Sequence, residues 1–288
     1  MRESVFQSLE GHLSHAGNIG KLLLDAGKLT PIQAEKTMRL QKERGIRFGQ
    51  AAVELGFVQQ NDIAEILALQ FDYPYLMKGQ SALSARLLAA YEPFSKSVES
   101  LRSLRTQLML RWFSAGNKCV MFASYDANEM CSLAVANLAI VFSQLGERTL
   151  VIDGNLRSPC QHTLFGTPTH SGLTDILAQR ADLGAIQKVE SLIGLSLLSA
   201  GSSAPNPQEL MGRPQLGDLL NEVQYEFDVV LIDSAPLNES SDAQLLGPFA
   251  KAVVMVLQKN KTPTRSAEKL NTAMKVTGAK RLGAILVD

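Results

Sequence analysis

From residue 119 onward, six short and continuous apolar runs alternate with helical segments, and no other feature constrains the fold as tightly. The runs are 119–123, 149–152, 195–199, 228–232, 252–257 and 282–287, with Val229-Val230-Leu231-Ile232 typical of them. A run with no polar alternate suits a strand covered on both faces. Segments 133–145, 172–178, 214–223, 240–247 and 264–277 carry helical patterns and supply the covers. The order predicts an α/β fold, a parallel doubly wound sheet with helices on both sides. At 288 residues the chain also has room for a second domain.

The first of these units has the layout of a phosphate-binding loop. Strand Cys119-Val120-Met121-Phe122-Ala123 runs into Ser124-Tyr125-Asp126-Ala127-Asn128-Glu129-Met130-Cys131-Ser132, and an amphipathic helix follows from Leu133 to Gln144. Such a loop needs glycines, so that backbone N–H groups close around phosphate oxygens, and a lysine for the outer phosphates. Here Met130 stands where the last glycine belongs and Cys131 where the lysine belongs. Asp126 and Glu129 add negative charge to a loop that should attract anions. Cys131 has no histidine nearby in sequence to serve as a base, which argues against a nucleophile.

The first seventy residues repeat themselves. Gly20, Gly27, Ala34, Met38 and Gln41 recur 29 positions later as Gly49, Gly56, Ile63, Leu67 and Gln70. In each copy a short helix (Lys21–Ala26, Gln50–Leu55) ends at a glycine able to take positive φ. A second helix then starts near Thr30-Pro31 or Asn61-Asp62. Two helix–turn–helix units in tandem are expected. Phe71-Asp72-Tyr73-Pro74-Tyr75-Leu76 is expected to pack on this domain; Ser84–Tyr91 reads as a helix that Glu92-Pro93 breaks. The boundaries read as a helical domain over 1–76, a linker and helix over 77–98, and an α/β domain over 99–288.

Composition excludes several classes. Basic and acidic residues balance at 28 each, which gives no sign of a nucleic-acid partner. No apolar run approaches a membrane span, and Met1-Arg2-Glu3-Ser4 lacks the apolar centre of a signal peptide. Cys119, Cys131 and Cys160 form no CxxC pair and suit a reducing cytoplasm. His12, His15, His162 and His170 are dispersed, so a metal site built from side chains alone is not expected.

Each repeat copy resembles R-L-G-x-x-L-x-x-x-G-x-x-x-x-x-x-L-x-x-x-L-x-x-Q, the tandem motif of the N-terminal domain of type II secretion and pilus-assembly ATPases that bind cyclic di-GMP. The first copy matches at Asn18-Ile19-Gly20, Leu23, Gly27, Ala34, Met38 and Gln41. The second matches at Arg47-Phe48-Gly49, Gly56, Ile63, Leu67 and Gln70, after the spacer Lys42-Glu43-Arg44-Gly45-Ile46. Ala52 replaces a leucine, and Asn18 replaces the leading arginine, a loss expected to weaken binding without removing the pocket. The resemblance implies cyclic di-GMP as ligand: glycines admit phosphate, apolar side chains meet purine faces, and glutamine or arginine pairs with guanine edges.

The second half resembles the chain-length-determinant bacterial tyrosine kinases of EpsG type, a CpsD/CapB-like P-loop family. Leu150-Val151-Ile152-Asp153-Gly154-Asn155-Leu156-Arg157-Ser158-Pro159 is similar to their D-x-D-x-R motif, and Phe227-Asp228-Val229-Val230-Leu231-Ile232-Asp233-Ser234-Ala235-Pro236 to their Walker B strand. Pro205-Asn206-Pro207-Gln208-Glu209-Leu210 and Ser241-Asp242-Ala243 also match, as do Glu99, Arg102 and Arg105 to the E-x-x-R-x-x-R helix through which those kinases form rings. The resemblance implies ATP with Mg²⁺ at Ser132, Asp153, Arg157 and Asp233, a homo-oligomer, and a membrane chain-length-determinant protein (polysaccharide co-polymerase) as partner in exopolysaccharide synthesis. The departures fall on the chemistry. The lysine falls on Cys131, the glycines on Met130 and Asn128, and the second acid on Asn155. The family's C-terminal tyrosine cluster has no counterpart either, since Tyr73, Tyr75, Tyr91, Tyr125 and Tyr225 are scattered and the chain ends at Asp288.

Three functions follow as expectations. The first is a catalytically inactive kinase homologue that senses cyclic di-GMP, cytoplasmic and held at the inner membrane only through its partner. The second is a working ATPase or tyrosine kinase with an atypical phosphate loop. The third is a ParA- or MinD-like positioning ATPase.

Overall fold

The computed structural model describes residues 19–60, 62–63, 66–67, 76, 81–127, 129–168 and 170–288. Asn18, Gln70, Asn128 and the aromatic stretch 71–75 lie outside the described residues. The chain divides into two compact units, Met1–Tyr75 and Leu76–Asp288.

In the first unit the repeat survives down to individual hydrogen bonds. Helix α1 (Ile19–Asp25) and helix α3 (Phe48–Glu54) occupy equivalent places, with α2 (Pro31–Arg44) between them. Gly27 and Gly56 both take φ of +67°, and nothing lies within 4 Å of a Cβ built on either, so the requirement is conformational. Lys28 N–H donates to Leu23 O at 2.9 Å, and Phe57 N–H, 29 residues on, donates to Ala52 O at 3.1 Å. The caps repeat too. Thr30 accepts from the Gln33 N–H while the Gln33 side chain accepts from the Thr30 N–H, a full capping box. At the equivalent place Gln59 N–H donates to Asp62 Oδ2 at 2.7 Å. The second cap therefore sits at Gln59, two residues before Asn61-Asp62, because the Asp62 carboxylate reaches back as Gln33 does. Residues 60, 62, 63, 66 and 67 are helical. Leu23, Leu29, Ala34, Phe48, Ala52, Val58 and Ile66 form the core.

The second unit is built on seven strands in one sheet, in the order β3-β4-β2-β5-β1-β6-β7. They are β1 (Cys119–Ser124), β2 (Thr149–Gly154), β3 (Gln187–Lys188), β4 (Leu195–Leu198), β5 (Val229–Ser234), β6 (Ala252–Gln258) and β7 (Lys280–Val287). Among the described residues only the β3–β4 pairing is antiparallel. Successive side chains of β1 and β5 enter opposite layers. Val120, Phe122, Val229 and Leu231 join one apolar cluster; Met121, Ala123, Val230 and Ile232 join the other. Both faces are buried, which is why these strands read as unbroken apolar runs.

One layer contains α4 (Leu88–Tyr91), α5 (Lys96–Arg111) and α6 (Met130–Ser143). The other contains α8 (Leu173–Leu177), α9 (Pro207–Met211), α10 (Gln215–Glu226), α11 (Asp242–Ala250) and α12 (Thr264–Val276). Between β2 and α8 lies the short α7 (Gln161–Phe165). Five features depart from the sequence reading. The expected helix 84–91 shrinks to Leu88–Tyr91, since Arg86 is drawn out to Glu129 and Ala89 N–H donates to the Asn137 side chain. The helix after β1 starts at Met130 rather than Leu133. Strand β3 and helices α7 and α9 are too short to show a period, and no element was expected there.

Candidate functional site

The C-terminal ends of β1, β2 and β5 bring the second unit's expected site residues together. In the parallel register Asp153 lies opposite Asp233, and Phe122 opposite Asp233 on the other side. Both aspartates are 0 % exposed. Gly154 permits this approach, because a Cβ there would lie 2.6 Å from the Asp233 carbonyl oxygen. Asp153 accepts N–H bonds from Asn155 at 3.3 Å, Cys160 at 3.1 Å and Gln161 at 3.0 Å. Burial, then repulsion from Asp233, pushes the Asp153 carboxyl well above the carboxylate range despite those donors. Burial likewise raises Asp233, against the pull of the Ser132, Gln161 and Cys131 side chains.

Gln161, absent from the sequence reading, is central to the arrangement. Its side chain is fully buried, and Nε2 donates both to Asp233 Oδ2 at 2.8 Å and to the Ser132 carbonyl at 3.0 Å. Among the described residues, Gln161 Oε1 and Asp233 Oδ1 are buried without a geometric hydrogen-bond partner. No local signal marks this glutamine, since its partners lie 29 and 72 residues away in sequence.

The loop itself is occupied by neutral or already paired groups. Cys131 is 2 % exposed; burial, and after it the Asp233 carboxylate, holds its thiol well above the ordinary value. Such a thiol is neither a phosphate-binding cation nor a nucleophile. Met130 is half-buried at the helix start, and Ser132 is buried. Glu129 pairs with Arg86, which compensates its negative charge. Asn155 is buried, and its Oδ1 accepts the Ser158 N–H at 3.1 Å. Arg157 does not reach the aspartate pair: Nε donates to Asp242 Oδ2 at 3.1 Å. Oxygen ligands for a cation are present in Ser132, Asp153 and Asp233, but the phosphate side of a metal–nucleotide site lacks its cation and its glycines, so the donor set does not fit ATP with Mg²⁺.

The expected assembly helix is α5. Glu99 pairs with Arg102 at 3.0 Å, the ordinary i,i+3 arrangement, while Arg105 Nη1 donates to the Val141 carbonyl at 2.8 Å and ties α5 to α6.

In the first unit the described members of the expected dinucleotide site divide by exposure. Gly20, Leu23 and Phe48 are buried, Leu23 wholly. Ile19, Met38, Gln41, Gly49 and Leu67 are half-buried, and Gly27, Arg47 and Gly56 are exposed. A Cβ on Gly49 would lie 3.3 Å from Ile63, so close helix packing is one reason for glycine there. The remaining members, Asn18 and Gln70, lie outside the described residues. Among the described residues no helix is long and apolar enough to cross a membrane, and no group of three or more His, Cys, Asp or Glu could hold a metal ion.

No family model matches the chain. Individual relatives do. The chain is 33 % identical to tyrosine-protein kinase YwqD of Bacillus subtilis over 206 residues, covering 72 % of this chain and 87 % of that protein. Among solved structures, the chimerical protein CapA2B2 superimposes with a TM-score of 0.66 at 29 % identity, covering 77 % of this chain and 97 % of that one. The kinase domain of the Escherichia coli tyrosine kinase ETK gives a TM-score of 0.67 at 27 % identity, covering 69 % and 78 %.

Proposed function

The chain belongs to the family of bacterial tyrosine-protein kinases, and from that premise we propose that it is a catalytically inactive member which senses cyclic di-GMP through its N-terminal repeats and regulates exopolysaccharide synthesis. One observation carries the loss of catalysis: the position of the outer-phosphate lysine is held by Cys131, a buried thiol kept protonated beside Asp233. Phosphoryl transfer runs on positioning and on cations that neutralise developing charge, and a neutral thiol supplies neither. Asn155 in place of the second acid removes a further potential metal ligand. The dinucleotide reading rests on the tandem motif and on the hydrogen-bonded equivalence of its two copies, which gives two similar half-sites in one small unit. By family resemblance the protein acts as an oligomer through α5, beside a membrane chain-length-determinant protein.

Restoring the loop tests the loss. Cys131→Lys with Met130→Gly supplies the missing cation and the missing space, and is expected to raise ATP·Mg²⁺ affinity at least about tenfold, roughly 1.4 kcal/mol. ATP turnover by the natural chain, lost on Asp233→Ala, would instead establish the alternative of a working kinase with an atypical loop.

A further inference from the structure

We propose that the Gln161 carboxamide is a built-in substitute for a divalent cation at the Asp153–Asp233 pair and closes that pair to metal in the resting protein. The inference rests on the reading of a disabled phosphate loop. Two fully buried carboxylates opposite one another in register need a cation, protons or strong donors to be tolerated. Gln161 supplies donors to both. Its backbone N–H donates to Asp153 Oδ2 at 3.0 Å, and its side-chain Nε2 donates to Asp233 Oδ2 at 2.8 Å. The same Nε2 spends its second proton on the Ser132 carbonyl at 3.0 Å, so it lies between a carboxylate oxygen and a carbonyl oxygen. Hard divalent cations take that kind of position among oxygen ligands.

The substitution is incomplete. An amide nitrogen offers two protons and no full charge, and Asp233 Oδ1 and Gln161 Oε1 stay buried without partners. Those two acceptors are ones that a cation at the same place would draw on and the amide does not. Arg157, the nearest cation in the sequence motif, donates to Asp242 instead, and Cys131, Ser132 and Cys160 present neutral groups around the pair. Taking the amide away leaves the Asp233 carboxylate and the Ser132 carbonyl as oxygen ligands where Nε2 stood, with the Asp153 carboxylate opposite in register.

The test uses the full chain and Mn²⁺ alone, without nucleotide, read by the loss of free-Mn²⁺ paramagnetic resonance signal and by thermal melting. The wild type is expected to show no saturable Mn²⁺ binding. Gln161→Ala is expected to bind it at least about tenfold more tightly and to melt higher in its presence. Adding Asp233→Asn to Gln161→Ala abolishes both effects. Gln161→Glu covers the case in which the alanine variant folds poorly: a third buried carboxylate lowers the melting temperature without Mn²⁺ and regains it with the ion. The proposal is overturned if the wild type binds Mn²⁺ as tightly as Gln161→Ala, or if neither variant responds to the ion. ATP hydrolysis by the wild type would sink the reading of a disabled loop and leaves this nucleotide-free comparison to decide Gln161 separately.

Discussion

Asp233 accepts from Gln161 Nε2 at Oδ2, the Ser132 and Cys131 side chains also draw on its carboxylate, and Asp153 lies opposite it in the sheet. Burial raises both carboxyls above the values they have in the unfolded chain. Between the ordinary aspartate value and the raised ones the folded state therefore holds more protons than the unfolded state, and stability falls as pH rises through that window. Asp233→Asn keeps an oxygen for Gln161 Nε2 and removes the repulsion on Asp153. We expect the variant to melt a few degrees above the wild type near pH 8, each kcal/mol being worth about 2–4 °C, with the gap closing towards pH 4. Thermal melts across that range check it, and a gap constant with pH would point to packing. Both aspartates were legible in the sequence because each ends a strand-like apolar run. Gln161 was not: a buried glutamine in a five-residue helix has no period, and its role exists only once β2 and β5 pair.

Among elements, the tandem helix–turn–helix units show which signals act locally. Gly27 and Gly56 end α1 and α3 in the left-handed region, where a side chain costs about 1–2 kcal/mol. Gly27→Ala and Gly56→Ala should each destabilise the first unit by about that amount in urea titration, and by similar amounts, since the two turns share their hydrogen bonds. A large difference between them would break the equivalence of the copies. Turn glycines and the Thr30 cap are written in adjacent residues, so the sequence carries them. The placement of Gln59 as the second cap depends on Asp62 reaching back, and two neighbouring residues of good capping type hid it. The same limit applies to 84–91, where Arg86 and Ala89 are recruited by Glu129 and Asn137 far along the chain.

At the scale of the whole molecule, the parallel sheet and its two apolar layers follow from the alternation of runs and helices, and strands β1, β2, β4, β5, β6 and β7 fall where the runs do. The kinase-family fold surrounds a loop with Cys131, a buried thiol, where the resemblance places a lysine, and Asn155 where it places a second acid. On the proposed function the responsive ligand binds the first unit rather than the loop. Titration calorimetry of the full chain with cyclic di-GMP and, separately, with ATP·Mg²⁺ tests that claim most directly. We expect saturable heat with the dinucleotide and none with ATP·Mg²⁺; tight ATP binding with no response to cyclic di-GMP would contradict the proposed function.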